Sequence, residues 1–327
     1  MTSLLRLGVL HLLRALCFAL AATACGAQDW PSRPVRIVVP FPPGNGADVI
    51  SRLIGERIAP ALGQPVIVEN RPGAGSMVGT TFVAKSAPDG YTLLAGGNSA
   101  MVINPFLYKD APYDTLRDFA PIVNISALPL ALCVTPSLPV RNVPELIALA
   151  KAKPGAITYG SSGNGSTHHL TTSLFATAAG IQMTHIPYKG STASFADLIA
   201  GRVQLVADTM PTAVLYARSG KVRAIGVTSL KRSPFLPDVP TLDEQGLKGF
   251  DIVAWTGLFA PAGTPEPILD RLNAEVLKVL REPDTRRRMN DLALDPIGNT
   301  REHFTAFLKQ ELERWKKAVQ ASGAKID

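Results

Sequence analysis

From Val35 onward short apolar runs alternate with amphipathic stretches, and this alternation limits the fold more than any other feature of the chain. "VRIVVPF" precedes "ADVISRLIGERIAPAL", in which Val49, Ile50, Leu53, Ile54, Ile58 and Leu62 share one helical face. "QPVIVEN", "GSMVGTTFVAKSA" and "YTLLAGG" continue as strand, helix and strand. A βαβαβ order predicts a parallel sheet with helices on both faces. A second series begins at "IVNISALPLALCV". It passes through helix "VPELIALAKAK", strand "AITYG", helix "HHLTTSLFATAAG", strand "MTHIPYKG", helix "STASFADLIAG", strand "VQLVAD", helix "PTAVLYARSG" and strand "VRAIGVTS".

A Pro-rich stretch, "SPFLPDVPTLDEQG", then leads to the strand "DIVAWTGLFAP" and two C-terminal helices. The first of these helices is expected to open at Thr264-Pro265, a cap followed by proline at the first helical position. The last spans about 300 to 322, with Phe304, Phe307, Leu308, Leu312, Trp315 and Val319 on one stripe. A chain of 327 residues exceeds what one core usually supports, so two domains are expected. The final helices bring too few strands for a third domain, so the chain returns to the first. This gives one lobe of 28–128 with 251–327 and a second of 129–250.

The N-terminus stands apart. Arg6 and Arg14 precede an apolar run from Ala15 to Ala22, and small residues follow around Ala24 and Ala27. That is the layout of a secretory signal peptide, residues 1–27, with cleavage expected after Ala27 and Ala24 as the alternative. "ATAC" is a loose match to a lipoprotein signal at Cys25, but Ala22 stands where a larger aliphatic residue is usual, so lipid anchoring is not expected. Beyond the leader the chain keeps Cys133, in "LPLALCV", so no disulfide is expected. Formal net charge is +7, and the only dense basic run, "TRRRM", reads as the solvated face of a helix. No basic stripe interleaved with aromatics appears, which argues against nucleic acid.

Three turns share one design of strand, Gly-rich loop and helix N-terminus: "PFPPGNGAD" (40–48), "GGNSAM" (96–101) and "GSSGNGSTHH" (160–169). In open α/β sheets such turns lie at the carboxyl ends of strands, where ligands bind. Glycine admits close backbone approach, and the unpaired N–H groups of the first helical turn favour a carboxylate or phosphate. Ser161, Ser162, Ser166 and Thr167 add neutral donors. A single such turn is often only a capped turn; three at matching strand ends favour binding.

Sharper motifs are missing. "GNGADV" and "GNGSTH" lack the third glycine of G-x-G-x-x-G, and neither a P-loop nor a G-x-S-x-G elbow occurs. His168 and His169 are adjacent and diverge on a helix, while His185 lies in a separate strand, so no metal site is expected. Of the adjacent pair, His168 is the one expected to donate to a ligand. Asp208, at the end of "VQLVAD", is either an N-cap for the next helix or a cleft carboxylate facing a ligand amino group. "PYKGS" forms another strand end, and its Lys189 is the one fixed cation in these turns, set to meet ligand or solvent.

"RIVVPFPPGNGADVISRLI", "LGQPVIVENRPGAGSMVG", "APDGYTLL", "YGSSGNGSTHHL", "IPYKGS", "VTSLKRSPFLPDVPTLDEQG" and "FAPAGTPEPILDRLN" together resemble the substrate-binding proteins of tripartite tricarboxylate transporters, the periplasmic Bug receptors. The resemblance covers nearly all of residues 30–327, with its segments in the family's order. It implies a two-lobed periplasmic binding protein of type II topology that closes on a small carboxylate and docks on membrane subunits of the transporter. It also implies the contacts: Phe41, Pro43, Gly44, Gly46 and Asp48 in the first turn, and Gly97 and Asn98 after "YTLL". Ser161, Ser162, Gly163, Gly165, Ser166, Thr167 and His168 follow in the third loop, then Tyr188, Gly190, Ser191 and the Asp208 region. The family's first loop often reads PF-x-x-G-G, whereas this chain has Gly44-Asn45-Gly46, a turn that Asn tolerates. The expectation is therefore a monomeric, non-enzymatic receptor without cofactor. A carboxylate sensor feeding a signalling system is the alternative, and an exported α/β hydrolase is disfavoured because no activated nucleophile is visible.

Overall fold

In β1 (Val35–Val39) Val35, Ile37, Val38 and Val39 are buried, filling both faces of the sheet, while Arg36 is half-buried and pairs with Glu69. The computed structural model describes residues 30–322, with the side chains of 321 and 322 undescribed, so the expected leader 1–27 and Cys25 lie outside the described residues. After β1 come α1 (Gly46–Leu62), β2 (Val66–Asn70), α2 (Met77–Ala84) and β3 (Thr92–Gly97). A π-helical turn (Ser99–Ile103) runs into two short helices, α3 (Asn104–Leu107) and α4 (Thr115–Asp118). The long strand β4 (Phe119–Val134) follows, then α5 (Val143–Ala152), β5 (Thr158–Ser161), α6 (Thr167–Ala179) and β6 (Thr184–Pro187). Next are α7 (Ser191–Ile199), β7 (Leu205–Thr209), α8 (Met210–Arg218), β8 (Arg223–Val227) and β9 (Val253–Pro261). The chain ends with α9 (Glu266–Arg281), α10 (Pro283–Asp291), β10 (Asp295–Pro296) and α11 (Arg301–Ser322).

The strands form one path, β2-β1-β3-β9-β4-β7-β5-β6, with β8 and β10 also paired to β4. The parallel sets expected from the βαβ pattern are present: β1 with β2 and β3, and β5 with β6 and β7. Strands β4 and β9 differ, running antiparallel to their neighbours. Their role is to join the two sets. From Phe119 to Pro129, β4 pairs with β9, and from Leu130 to Val134 it pairs with β7 and β8. One strand thus belongs to both halves of the molecule.

Helices cover both faces. Leu94 of β3 joins one apolar core with Phe259 and Phe304, while Leu93 and Ala95 join the other with Ile50 and Leu272. Cys133 is buried in β4 as a free thiol, and burial pushes its pKa up. Among the described residues no helix is long and apolar enough to cross a membrane.

Two local expectations need correction. Thr264 does not cap α9: its hydroxyl donates to the Pro261 carbonyl, and Pro265 takes the cap position. The "TRRRM" run lies on a separate helix, α10, so three helices rather than two end the chain. Pro283 has no N–H to continue α9 but suits the first position of a new helix, so the break falls there. Arg286, Arg287 and Arg288 are exposed, as expected of a solvated face.

Candidate functional site

Because β1 and β3 are parallel neighbours, turns 40–46 and 97–99 leave the same edge of the sheet. For the same reason loop 161–167, turn 187–191 and the end of β7 lie side by side in the second set. One contact brings the two groups together. The Thr167 N–H donates to Ser99 Oγ at 3.3 Å, and the Ser99 and Thr167 hydroxyls lie 3.3 Å apart. The N-terminus of α6 therefore faces the turn after β3.

The first turn is held from within. Asn45 caps α1 by accepting the Asp48 N–H at 2.9 Å, and Asp48 in return accepts the Gly44 N–H at 2.8 Å. Asp48 also accepts from Asn70, whose amide reaches the Phe41 carbonyl as well, and it pairs with Arg52. Burial alone would raise the Asp48 pKa, but Arg52, the Gly44 N–H and Asn70 hold it below the ordinary carboxylate range. Asp48 is thus buried inside the turn as its brace, while Pro43 and Gly44 are exposed and Phe41 is half-buried. Gly44 sits at φ +84° and Gly46 has open space where a Cβ would be, so this loop leaves room beside its backbone.

At the second turn both ends of the Asn98 side chain are engaged. Its amide donates to the Val253 carbonyl at 3.1 Å and its oxygen accepts the Trp255 N–H at 2.9 Å. Gly97 is needed for close approach, since a Cβ there would lie 2.5 Å from the Trp255 carbonyl oxygen. Backbone and the Ser99 hydroxyl are what this turn presents.

In the third loop Ser161 is fully buried. Its hydroxyl donates to the Gly163 carbonyl, accepts the Gly163 N–H, and lies 2.7 Å from His185 Nε2. Gly163 has φ +128° and Gly165 φ +71°, conformations that favour glycine. Ser166 caps α6 by accepting the His169 N–H, and Ser162, Thr167 and His168 are half-buried along the loop. Gly163→Val should strain this backbone by about 1–3 kcal/mol. We expect about a five- to hundredfold loss of affinity for any anion held here, measured by titration calorimetry; unchanged affinity would remove the loop from the site.

Beside it the Tyr188 N–H donates to the Ser161 carbonyl, while the Tyr188 phenol donates to Asp197. Burial, then the Asp197 carboxylate, pushes that phenol up to about 12. Tyr188 thus links loop to helix, Gly190 caps α7 at φ +113°, and Lys189 is exposed.

Asp208 does not cap α8. Thr209 occupies the cap position, and Asp208 Oδ1 accepts the Thr209 N–H and hydroxyl at 2.7 and 3.2 Å. The same oxygen lies 3.3 Å from His168 Nε2, and His168 Nδ1 lies 3.5 Å from the Ser191 hydroxyl. Oδ2 of this carboxylate, 1 % exposed, has no hydrogen-bond partner among the described residues. The order Ser191, His168, Asp208 resembles a hydrolase relay. At 3.5 Å, however, the serine contact lies at the outer limit of a hydrogen bond.

Sequence reasoning missed four contributors. Ser99, one residue past Asn98, makes the contact between the two groups of turns. His169 and His185, from separate elements, stack face to face with ring centroids 3.9 Å apart, and Tyr159 stacks on His185 at 4.9 Å. Ring nitrogens bind metals in the ring plane, so stacked rings do not converge on one ion. Among the described residues no cluster of three metal-ligating side chains occurs.

Comparison with known proteins agrees with this architecture. Residues 50–324 match the tripartite tricarboxylate transporter family receptor. The chain is 36% identical to the protein BugT of Bordetella pertussis over 306 residues, 93% of this chain and 94% of that one. Among solved structures it resembles a protein of R. palustris with adipate, with TM-score 0.86 and 36% identity over 91% of this chain and all of the other. It also resembles MatC from Rhodopseudomonas palustris with bound malate, with TM-score 0.82 and 34% identity over 89% of this chain and all of the other. With a two-lobed α/β architecture and turns gathered at the carboxyl ends of its parallel strands, the chain belongs to the tripartite tricarboxylate transporter receptor family.

Proposed function

We propose that this chain is a periplasmic solute receptor that captures a small carboxylate between its lobes and delivers it to the membrane subunits of a tripartite tricarboxylate transporter. The lobes are 28–128 with 251–327, and 129–250. Support for these bounds comes from β4, which exchanges β9 for β7 and β8 between Pro129 and Leu130. The leader 1–27 directs export. Proteins of similar sequence and fold have been solved with adipate and malate, which supports a small carboxylate as ligand; a di- or tricarboxylate, an acidic amino acid and an aromatic acid are the classes proposed.

The observation that carries the reading is the Thr167 N–H pointing at Ser99 Oγ across the two groups of turns. A carboxylate accepts more strongly than a hydroxyl, so an anion placed between them gains donors from both lobes and favours closure. The α6 N-terminus, capped by Ser166, adds its dipole. Asp48, Asn98 and Tyr188 act by shaping the turns, whereas backbone amides, Ser191, His168 and Asp208 meet the ligand.

A thermal-shift panel on residues 28–327 tests this, with di- and tricarboxylates, aspartate, glutamate and nicotinate. A ligand at a hundred times its dissociation constant should add about 2.7 kcal/mol, a shift of several degrees. A flat panel, with no acid released on denaturation and seen by mass spectrometry, would overturn the proposal.

A further inference from the structure

The stacked histidines grip the 161–168 loop from behind. The Gly165 N–H donates to His169 Nδ1 at 3.1 Å, so that nitrogen carries no proton. The Ser161 hydroxyl, which donates to the Gly163 carbonyl at 3.1 Å, also lies 2.7 Å from His185 Nε2, a contact whose direction follows the imidazole tautomer. Both glycines held this way have positive φ, and their N–H groups face backward into the grip. The loop's shape therefore depends on the acceptor nitrogen of His169 and on Nε2 of His185, on two elements joined by stacking at an interplanar angle of 9°.

We propose that His169 and His185 are the positioning residues of the anion loop, and that they hold it only as a pair of neutral imidazoles. This rests on the reading of the loop as a carboxylate cradle. A proton on His169 Nδ1 removes the acceptor for Gly165. A proton on either ring sets a cation against its partner's face, and two protons set like charges 3.9 Å apart. Burial lowers both pKa values from 6.5 to about 4, with the neighbouring His169 adding to the effect on His185.

Other titrating groups surround the pair. Tyr159 of β5 stacks on it, with its phenol pushed up to about 12 by burial. His168 precedes His169 on α6 and faces Asp208 of β7. Tyr188 and the exposed Lys189 follow β6. None of these makes a hydrogen bond to either ring among those observed at the described residues. The neutral pair is favoured in the fold, so its contribution is complete above the unfolded value near 6.5. It declines as pH falls and is lost on passing about 4.

The test compares the wild-type protein with His169→Asn and His169→Leu between pH 7.5 and 4. Asn places an oxygen near the Nδ1 position and does not titrate; Leu offers no acceptor. In the ligand-free protein, amide exchange should show the Gly165 N–H protected at neutral pH and released near pH 4 in wild type. It should be protected throughout in His169→Asn and released throughout in His169→Leu. Equal protection in all three proteins at every pH overturns the proposal.

Adipate binding is then measured by calorimetry in parallel. Relative to His169→Asn, wild-type affinity should fall about two- to fourfold between pH 7 and 4, because each ring is about half protonated at its pKa and only the neutral pair holds the loop. Protonation of adipate itself cancels in that ratio. A constant ratio also overturns the proposal. If adipate does not bind at any pH while Gly165 follows the imidazole, the positioning role stands and the carboxylate reading fails for this probe.

Discussion

Glu311→Ala should remove about 3–5 kcal/mol of folding stability, because two buried indole donors would lose their shared acceptor at about 1–3 kcal/mol each, and a cavity would remain. Glu311 is 2 % exposed on α11. Its Oε2 accepts Trp255 Nε1 at 3.2 Å and Trp315 Nε1 at 3.0 Å, while Oε1 pairs with Arg314 at 3.2 Å. Glu311→Gln retains an amide oxygen for both indoles and forfeits only the half-exposed Arg314 pair, so it should cost about 1 kcal/mol. Urea unfolding of the three proteins decides the matter. A loss below 1 kcal/mol in the alanine variant would show that the indoles find other partners.

The consequence reaches the site. Trp255 donates its backbone N–H to Asn98, and its carbonyl lies where Gly97 must have no Cβ. The C-terminal helix, through Glu311 and Trp255, thus fixes the turn that presents Ser99. Glu311→Ala should therefore lower ligand affinity as well as stability, although the residue touches no part of the proposed cradle.

The stripe of α11 was legible because Phe304, Leu308, Trp315 and Val319 recur at helical spacing, and all four are buried. The buried carboxylate between them was not, since the partner Trp255 stands fifty-six residues away and only the packing of α11 on β9 joins them. The strand-end turns were equally legible, as glycine and hydroxyl residues mark them directly. Side-chain direction was not. Asp48 and Asn98 stand at suitable positions, yet one braces its own turn and the other bonds to β9. The histidine stack depends on the register that sets Tyr159 beside His185 across β5 and β6, and register leaves no mark in spacing. Antiparallel crossing strands were hidden for a similar reason: an apolar run is the same read in either direction.

Asp208→Asn should separate ligand classes by about 1.5–3 kcal/mol, roughly ten- to a hundredfold in affinity. Oδ1 of Asp208 is occupied by Thr209 and His168, whereas Oδ2 is buried without a partner among the described residues. A buried carboxylate oxygen in that condition favours a ligand that brings a donor, such as an ammonium group, and opposes one that brings a second carboxylate. Substituting Asn keeps Oδ1 for Thr209 and places an N–H₂ where Oδ2 was. Aspartate or glutamate should therefore bind the variant more weakly by the full amount. A plain dicarboxylate such as succinate should bind it equally or better, because a repulsion is replaced by a donor. Calorimetry with both ligands on both proteins gives a double comparison in which any change in folding stability cancels. Equal losses for the two ligands would mean that Asp208 acts only by holding His168 in place, and that the ligand's amino group or lack of one is read elsewhere in the cleft.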